Sequence, residues 1–335
     1  MRRLCGWMMI FVAFTAMAAS AKDLKIFFID VEGGQATLLI TPKGESLLID
    51  TGWPGNNSRD AERIAAVAKK NKIKKIDWLL ITHFHTDHVG GITTLMDRLP
   101  VVNLVSHGKN VESGKGADQL NKMYEEAKAK SKETIVKAGD KLPIAGLEVE
   151  VITADGETIR GASALARGAG DNNLCGAATK KAVDPSENAR SVGILVKYGE
   201  FRFLDMGDLT WNKEMEVACP VNKVGKVDLY LSTHHGLWAS NNPALVHALG
   251  AKAIVMNNGE KKGGEAPAID SMRAAPGLAG FWQLHYSVPA GKEHNVEDPY
   301  IANLTSPGGF HIEVTAKSDG HFTVVNQRNK FTKSY

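Results

Sequence analysis

The stretch Thr82-His83-Phe84-His85-Thr86-Asp87-His88-Val89-Gly90-Gly91 constrains this chain more than any other. Its three imidazoles and one carboxylate follow directly on the largely apolar run Ile76 to Ile81. That run reads as a buried strand, so the donors arrive together on the loop that follows it. Neutral imidazole and carboxylate suit zinc, manganese or iron, and the absence of cysteine excludes a cysteine-rich structural zinc site here. His83 and His85 stand two apart on an extended segment and can point to one side, while Asp87 and His88 turn with the chain toward a second position. One short loop can therefore serve two metal ions. A solitary surface histidine is ordinarily solvated and inert, but this cluster closes a strand and is followed by Gly-Gly, a context with few explanations other than metal.

At these residues the chain resembles the metallo-β-lactamase superfamily. The resemblance implies an α/β fold, a four-layer αββα sandwich of two mixed sheets with helices outside, and a hydrolase that uses one or two metals. Further motifs follow in order. Strands closing in Asp30-Val31 and in Asp50-Thr51-Gly52 resemble the opening of the branch that includes ComEC-like competence hydrolases and phosphorylcholine esterases, although the turn here reads Asp-Val-Glu-Gly-Gly-Gln. Asp50 then matches an acid that braces the metal loop without binding metal. The pattern puts Asn188 near the place where most of the superfamily carries a further histidine, so it is expected to contact substrate or to bind metal weakly. Asp208, in Asp205-Met206-Gly207-Asp208, matches the metal-bridging acid, and His234-His235-Gly236 matches the last ligand motif. His235 is taken as that ligand and His234 as a substrate or supporting residue, with the choice between them left open.

The ligand set these matches imply is His83 and His85 with Asp208 for one metal, and Asp87, His88 and His235 with Asp208 for the other. The metals are expected to be two divalent ions, zinc first and manganese second. Asp87 and Asp208 are the expected catalytic residues, and the reaction is hydrolysis by a metal-activated hydroxide. The substrate class is a small molecule or phosphodiester, the latter first. A lactonase or β-lactamase on the same scaffold is the rival, and a non-catalytic metal-binding module is a third reading motivated by Asn188.

Composition narrows the setting. The chain has 335 residues, enough for one large domain or two small ones, with 43% apolar and 23% charged residues, as in an ordinary globular enzyme. Residues 1–21 differ: Arg2 and Arg3 precede an apolar run that ends in Ala19-Ser20-Ala21, the layout of a secretory signal. The expectation is a signal peptide over 1–21, a hydrolase domain over 22–335, and a periplasmic or secreted protein with no membrane span after signal removal. Loss of Arg2 and Arg3 lowers the formal charge from +3 to +1, so no broad basic face for nucleic acid is advertised. Cys175 and Cys219 then remain, and an oxidising compartment allows a bridge whose formation depends on whether they meet.

Several elements are legible from pattern alone. Apolar residues Ala61, Ile64, Ala65 and Ala68 predict a helix after Ser58 as N-cap, and a helix is expected from His88 toward Leu99. A polar helix is expected over 118–132, two short strands over 134–152, and a long irregular segment over 154–190. The tail, with Phe310, Ile312, Val314, Phe322 and Val324, reads as a closing hairpin. His107, His285 and His294 follow strands and could reach the active edge, although residues so placed are more often incidental.

Overall fold

Alternation in the first strand sets the layering. Along β1 (Leu24–Phe28), Leu24, Ile26 and Phe28 face one cluster of buried side chains and Phe27 faces another. Period-two alternation puts successive side chains on opposite faces, so a strand with buried apolar side chains on both faces must be covered on both. The computed structural model describes residues 22–177 and 179–335; the expected signal peptide lies outside the described residues.

Strands β1, β2 (Thr37–Ile40) and β3 (Ser46–Ile49) run antiparallel through tight turns. From β3 the sheet continues in parallel through β4 (Ile76–Leu80), β5 (Val101–Ser106) and β6 (Lys132–Ile135). The second sheet repeats the scheme. Strands β7 (Lys141–Leu142), β8 (Glu148–Ala154), β9 (Gly193–Tyr198) and β10 (Phe201–Asp205) are antiparallel. From β10, strands β11 (Leu229–Leu231), β12 (Ala253–Met256), β13 (Gly280–His285) and β14 (Ile301–Asn303) run parallel. The last strands, β15 (Ile312–Ala316), β16 (Phe322–Asn326) and β17 (Thr332–Ser334), return to the first sheet beyond β1.

One core lies between the sheets, where Leu24, Ile26, Phe28 and Val314 meet Val151, Phe203, Leu231 and Trp282. Each such fully buried side chain contributes about 1.5–3 kcal/mol relative to exposure. The outer face of the first sheet is covered by α1 (Arg59–Lys70), α3 (Ile92–Met96) and α4 (Lys115–Lys128), with short α2 (Thr86–Val89) at its edge. The outer face of the second is covered by α5 (Trp211–Ala218), α6 (Pro243–Val246) and α7 (Ala266–Arg273). This is the four-layer sandwich of two mixed sheets. Among the described residues no helix is long and apolar enough to cross a membrane.

Three local expectations need correction. Ser58 holds the N-cap position of α1, but its backbone is left-handed (φ 61°) and its side chain makes no capping bond. Asp60 in the first turn instead accepts from the Trp53 amide at 2.9 Å. The helix expected from His88 starts at Thr86 and is broken at Gly90-Gly91. The Gly91 amide leaves the helix to donate to the Gly52 carbonyl at 3.0 Å, while the Asp87 carbonyl accepts from Gln35 N at 3.1 Å. The approach requires glycine, since a Cβ on Gly91 would lie 2.1 Å from the Thr51 carbonyl oxygen. Finally, the helix expected over 118–132 ends at Lys128, and β6 begins at Lys132 because residues 132–135 pair with β5. Non-local pairing overrides the helix preference of a lysine-rich segment.

Candidate metal centre

The loops carrying the polar clusters leave the carboxyl ends of β4, β10 and β11, and they converge there. Open α/β sheets ordinarily place ligands at that end. The Oδ2 atom of Asp208 is the meeting point. His88 Nε2 lies 3.2 Å from it, His235 Nε2 3.3 Å, His234 Nε2 3.5 Å and His83 Nε2 3.8 Å. Asp87 Oδ2 is 3.1 Å from His235 Nε2 and 3.3 Å from His88 Nε2. Ligand atoms of Asp87, His88, Asp208 and His235 all fall within 4.8 Å of one another, and all four residues are buried. Of the adjacent histidines, His235 therefore joins this cluster, while His234, on the rim, reaches Asp208 and has its Nδ1 3.3 Å from Ser240 Oγ. His83 Nε2, the nitrogen facing Asp208 Oδ2, and His85 Nδ1 face each other at 3.0 Å. His85 is not paired with Asp208; it reaches the centre through His83.

The outer nitrogens are fixed by the surrounding protein. Asp50 accepts from the Thr82 amide at 2.8 Å and the Thr82 hydroxyl at 2.6 Å, and lies 2.7 Å from His88 Nδ1. Its φ of 61° is one that Asp tolerates better than most residues. His85 Nε2 is 2.9 Å from Glu112, and His83 Nδ1 is 3.0 Å from Thr82 Oγ1. Carboxylates and hydroxyls in such positions orient an imidazole and set its tautomer.

Residues the sequence reading passed over complete this frame. Buried Glu187 accepts from the amides of Phe84 (3.0 Å) and Val111 (2.7 Å) and lies 2.9 Å from His107 Nε2. His107 thus braces the loop from outside and does not line the pocket. Asn188 follows in the same turn with its side-chain oxygen buried and unpartnered, and Ser191 Oγ lies 3.4 Å from His83 Nδ1. Buried Gln35 donates to Asp205 at 2.8 Å, and burial pushes the Asp205 carboxyl up to about 7. Lys262, in the Gly-rich loop after β12, pairs its ammonium with Asp87 Oδ2. A loop at the carboxyl end of a parallel strand was the available signal for it. His285 and His294 lie elsewhere: the first is 2.7 Å from Asp30 and the second 2.8 Å from Asp270.

The His234-His235 turn is strained and held. Both residues have positive φ, 52° and 55°, a conformation costing of order 1–3 kcal/mol each for non-glycine residues. His234 N donates to the Gly207 carbonyl at 3.0 Å, and Gly264 N donates to the His235 carbonyl at 2.8 Å. Beneath them Glu214 accepts from the Thr233 hydroxyl and from the amides of Asn241 (3.0 Å) and Asn242 (2.8 Å), and burial pushes its carboxyl up to about 7.

Electrostatics at the centre match a cation site. Burial would raise the Asp208 carboxyl, but His235 and His88 hold it well below the usual carboxylate range. Burial would likewise raise Asp87, which His88 and His235 keep well below that range. His83 is pushed down by burial and by His88, so its ring stays neutral. At His88, by contrast, the pull of burial is outweighed by Asp208, Asp87 and Asp50, which raise it well above the usual imidazole range and so favour positive charge at that point. Among the described residues, the buried Asp208 Oδ1, Asn188 Oδ1 and His235 Nδ1 have no hydrogen-bond partner. Neutral imidazole and carboxylate together are a donor set that fits a divalent transition metal.

The model of the metallo-beta-lactamase superfamily matches residues 30–164 of this chain. Among curated proteins it is similar to Recombination protein 2 of Haemophilus influenzae, 22% identical over 260 residues, which are 76% of this chain and 27% of that protein. The chain thus spans about a quarter of that relative. Two solved structures are similar in fold. The metallo-beta-lactamase fold protein YhfI from Bacillus subtilis is 11% identical, with 78% of this chain and 96% of that one covered and a TM-score of 0.48. A metal-dependent hydrolase of the beta-lactamase superfamily is 17% identical, with 80% and 97% covered and a TM-score of 0.47.

Proposed function

We propose that this chain is a metal-dependent hydrolase acting on phosphodiesters outside the cytoplasm. The observation that carries the reading is the convergence of His88, His235, His234 and His83 on the single carboxylate of Asp208, with Asp87 closing the cluster against His88 and His235. Asp87, His88 and His235 with Asp208 would hold one divalent ion, and His83 and His85 with Asp208 the other. Bound there, zinc or manganese ions supply Lewis acidity to a water and to the electrophile. Asp208 offers two oxygens, so one residue can serve both positions and keep them at a fixed separation. Asp87, whose Oδ2 stands between His88 and His235, accepts a hydrogen from the attacking water and aims it. Asn188 presents its unpartnered carbonyl oxygen, and His234 its Nε2, as contacts for the substrate. Asp50, Glu112 and Glu187 act through the histidines and the loop.

A phosphodiester is preferred because a bridging carboxylate gives a symmetric clamp for in-line displacement, and because the opening motifs resemble the ComEC-like branch. The bridge between Cys175 and Cys219 supports an oxidising compartment, periplasm or medium. The test is turnover of bis-(p-nitrophenyl) phosphate against a cephalosporin and a lactone at equal enzyme and saturating metal. The expected result is metal-dependent release of p-nitrophenol that exceeds turnover of the other two by tenfold or more. Faster turnover of the cephalosporin or lactone would move the chain to the rival hydrolase class, and no turnover with metal bound would leave a binding module.

A further inference from the structure

Lys262 is the one cation whose ammonium reaches the candidate centre among the contacts described above, and its loop is built to put it there. Gly259 N donates to the Lys262 carbonyl at 2.8 Å, closing a tight turn. On one side the turn seats on Gly33, where a Cβ would lie 3.0 Å from Lys262 Cβ and 2.9 Å from Gly259 N. On the other, Gly263 passes the metal loop so closely that its Cβ would fall 2.2 Å from the His235 carbonyl oxygen. Gly33, in the turn Glu32-Gly33-Gly34-Gln35, thereby acquires a purpose: a side chain there would displace the lysine loop. The ammonium also lies 4.7 Å from the centroid of the Trp53 ring, a cation–π contact that guides it over a fixed floor.

We propose that Lys262 is the anion-recognising residue of this site, and that it selects substrates carrying a negative charge on the group attacked. This rests on the phosphodiester reading above and deepens it. A lysine present only to neutralise Asp87 would be sealed in with it, yet the Lys262 side chain remains 33% exposed while that of Asp87 is 9% exposed. When Asp87 faces divalent cations, its charge is already balanced and an ammonium alongside gains little there. A substrate oxygen with negative charge restores a partner, and lysine serves as a point charge for phosphate. An uncharged lactone or triester offers no such partner, so the same residue discriminates against it.

The test uses the metal-loaded, full-length mature protein as wild type, Lys262→Ala, Lys262→Arg and, as a neighbouring exposed control, Lys261→Ala. Metal content is measured first, then binding of inorganic phosphate by calorimetry, then KM and kcat for bis-(p-nitrophenyl) phosphate and for an uncharged phosphotriester. Lys262→Ala is expected to keep its metal, to weaken phosphate binding about tenfold or more, and to raise KM for the diester by a similar factor. Turnover of the triester should stay within twofold, Lys262→Arg should recover most of the phosphate affinity, and Lys261→Ala should match wild type. Phosphate binding within twofold of wild type in Lys262→Ala overturns the proposal, as does equal damage to diester and triester. Loss of metal in that variant would make Lys262 a brace for Asp87 and also overturn it. If wild type cleaves no diester, the hydrolase reading fails by itself, and the phosphate titration still decides the role of Lys262.

Discussion

Replacing Asp50 by Asn isolates the contribution of one buried carboxylate to metal binding. Asn tolerates the left-handed backbone at φ 61°, so the turn is preserved. The amide cannot reproduce the three contacts of Asp50, at 2.8 and 2.6 Å to Thr82 and 2.7 Å to His88 Nδ1. It has one accepting oxygen, and its NH2 either meets the Thr82 hydroxyl or faces the His88 ring. Facing Nδ1, it favours the tautomer that carries the proton on Nε2, the nitrogen that points to Asp208. Loss of a hydrogen bond to a charged group costs about 1.5–3 kcal/mol. At about 1.4 kcal/mol per tenfold, that is roughly 10–100-fold in metal affinity, the range typical of residues that orient a ligand. The assay is competition with a chromophoric chelator, paired with thermal melting of the metal-free protein to establish that the fold survives. A folded Asp50→Asn protein binding metal as tightly as wild type would refute the bracing argument.

Other perturbations have equally definite outcomes. Cys175 and Cys219 are bridged over 44 residues of separation, so Cys219→Ser should lower unfolding free energy by up to about 4 kcal/mol on chain-entropy grounds, read by urea denaturation. Equal stability with and without reductant would contradict this. Glu214 has its carboxyl raised from 4.5 to about 7. A raised carboxyl binds its proton more tightly in the folded state, so its stabilisation is fully present below about pH 4.5 and is lost as pH rises through about 7. The span amounts to about 3 kcal/mol, and Glu214→Gln should flatten stability against pH over that window; an unchanged profile would count against it.

What the chain revealed before its structure was seen depended on how local the information was. Alternation in Leu24–Phe28 and the run into His83 are written in consecutive residues, so the strands and the donor cluster could be read directly. Asp208 and the pair His234-His235 could be expected there because each follows its own strand in the order the resemblance implies. Contacts between distant loops leave no such trace. Glu187 binds His107 from 80 positions away, and Lys262 meets Asp87 across 175. In one dimension Glu187 is a polar residue in an irregular segment and Lys262 a charged residue in a glycine-rich loop, both of which ordinarily mean a solvated surface. The break at Gly90-Gly91 was hidden for the same reason, since Gly52 and Gln35, distant in sequence, take the hydrogen bonds that would have continued the helix.

The central claim is that one carboxylate, Asp208, joins two metal positions in a hydrolytic site. Turnover of bis-(p-nitrophenyl) phosphate by wild type, Asp208→Asn and His235→Ala across a zinc and manganese titration tests it most directly. Asp208→Asn should lose several orders of magnitude in kcat at every metal concentration, because both positions lose an anionic donor, whereas added metal should partly restore His235→Ala. Near wild-type turnover in a folded Asp208→Asn protein would contradict the claim.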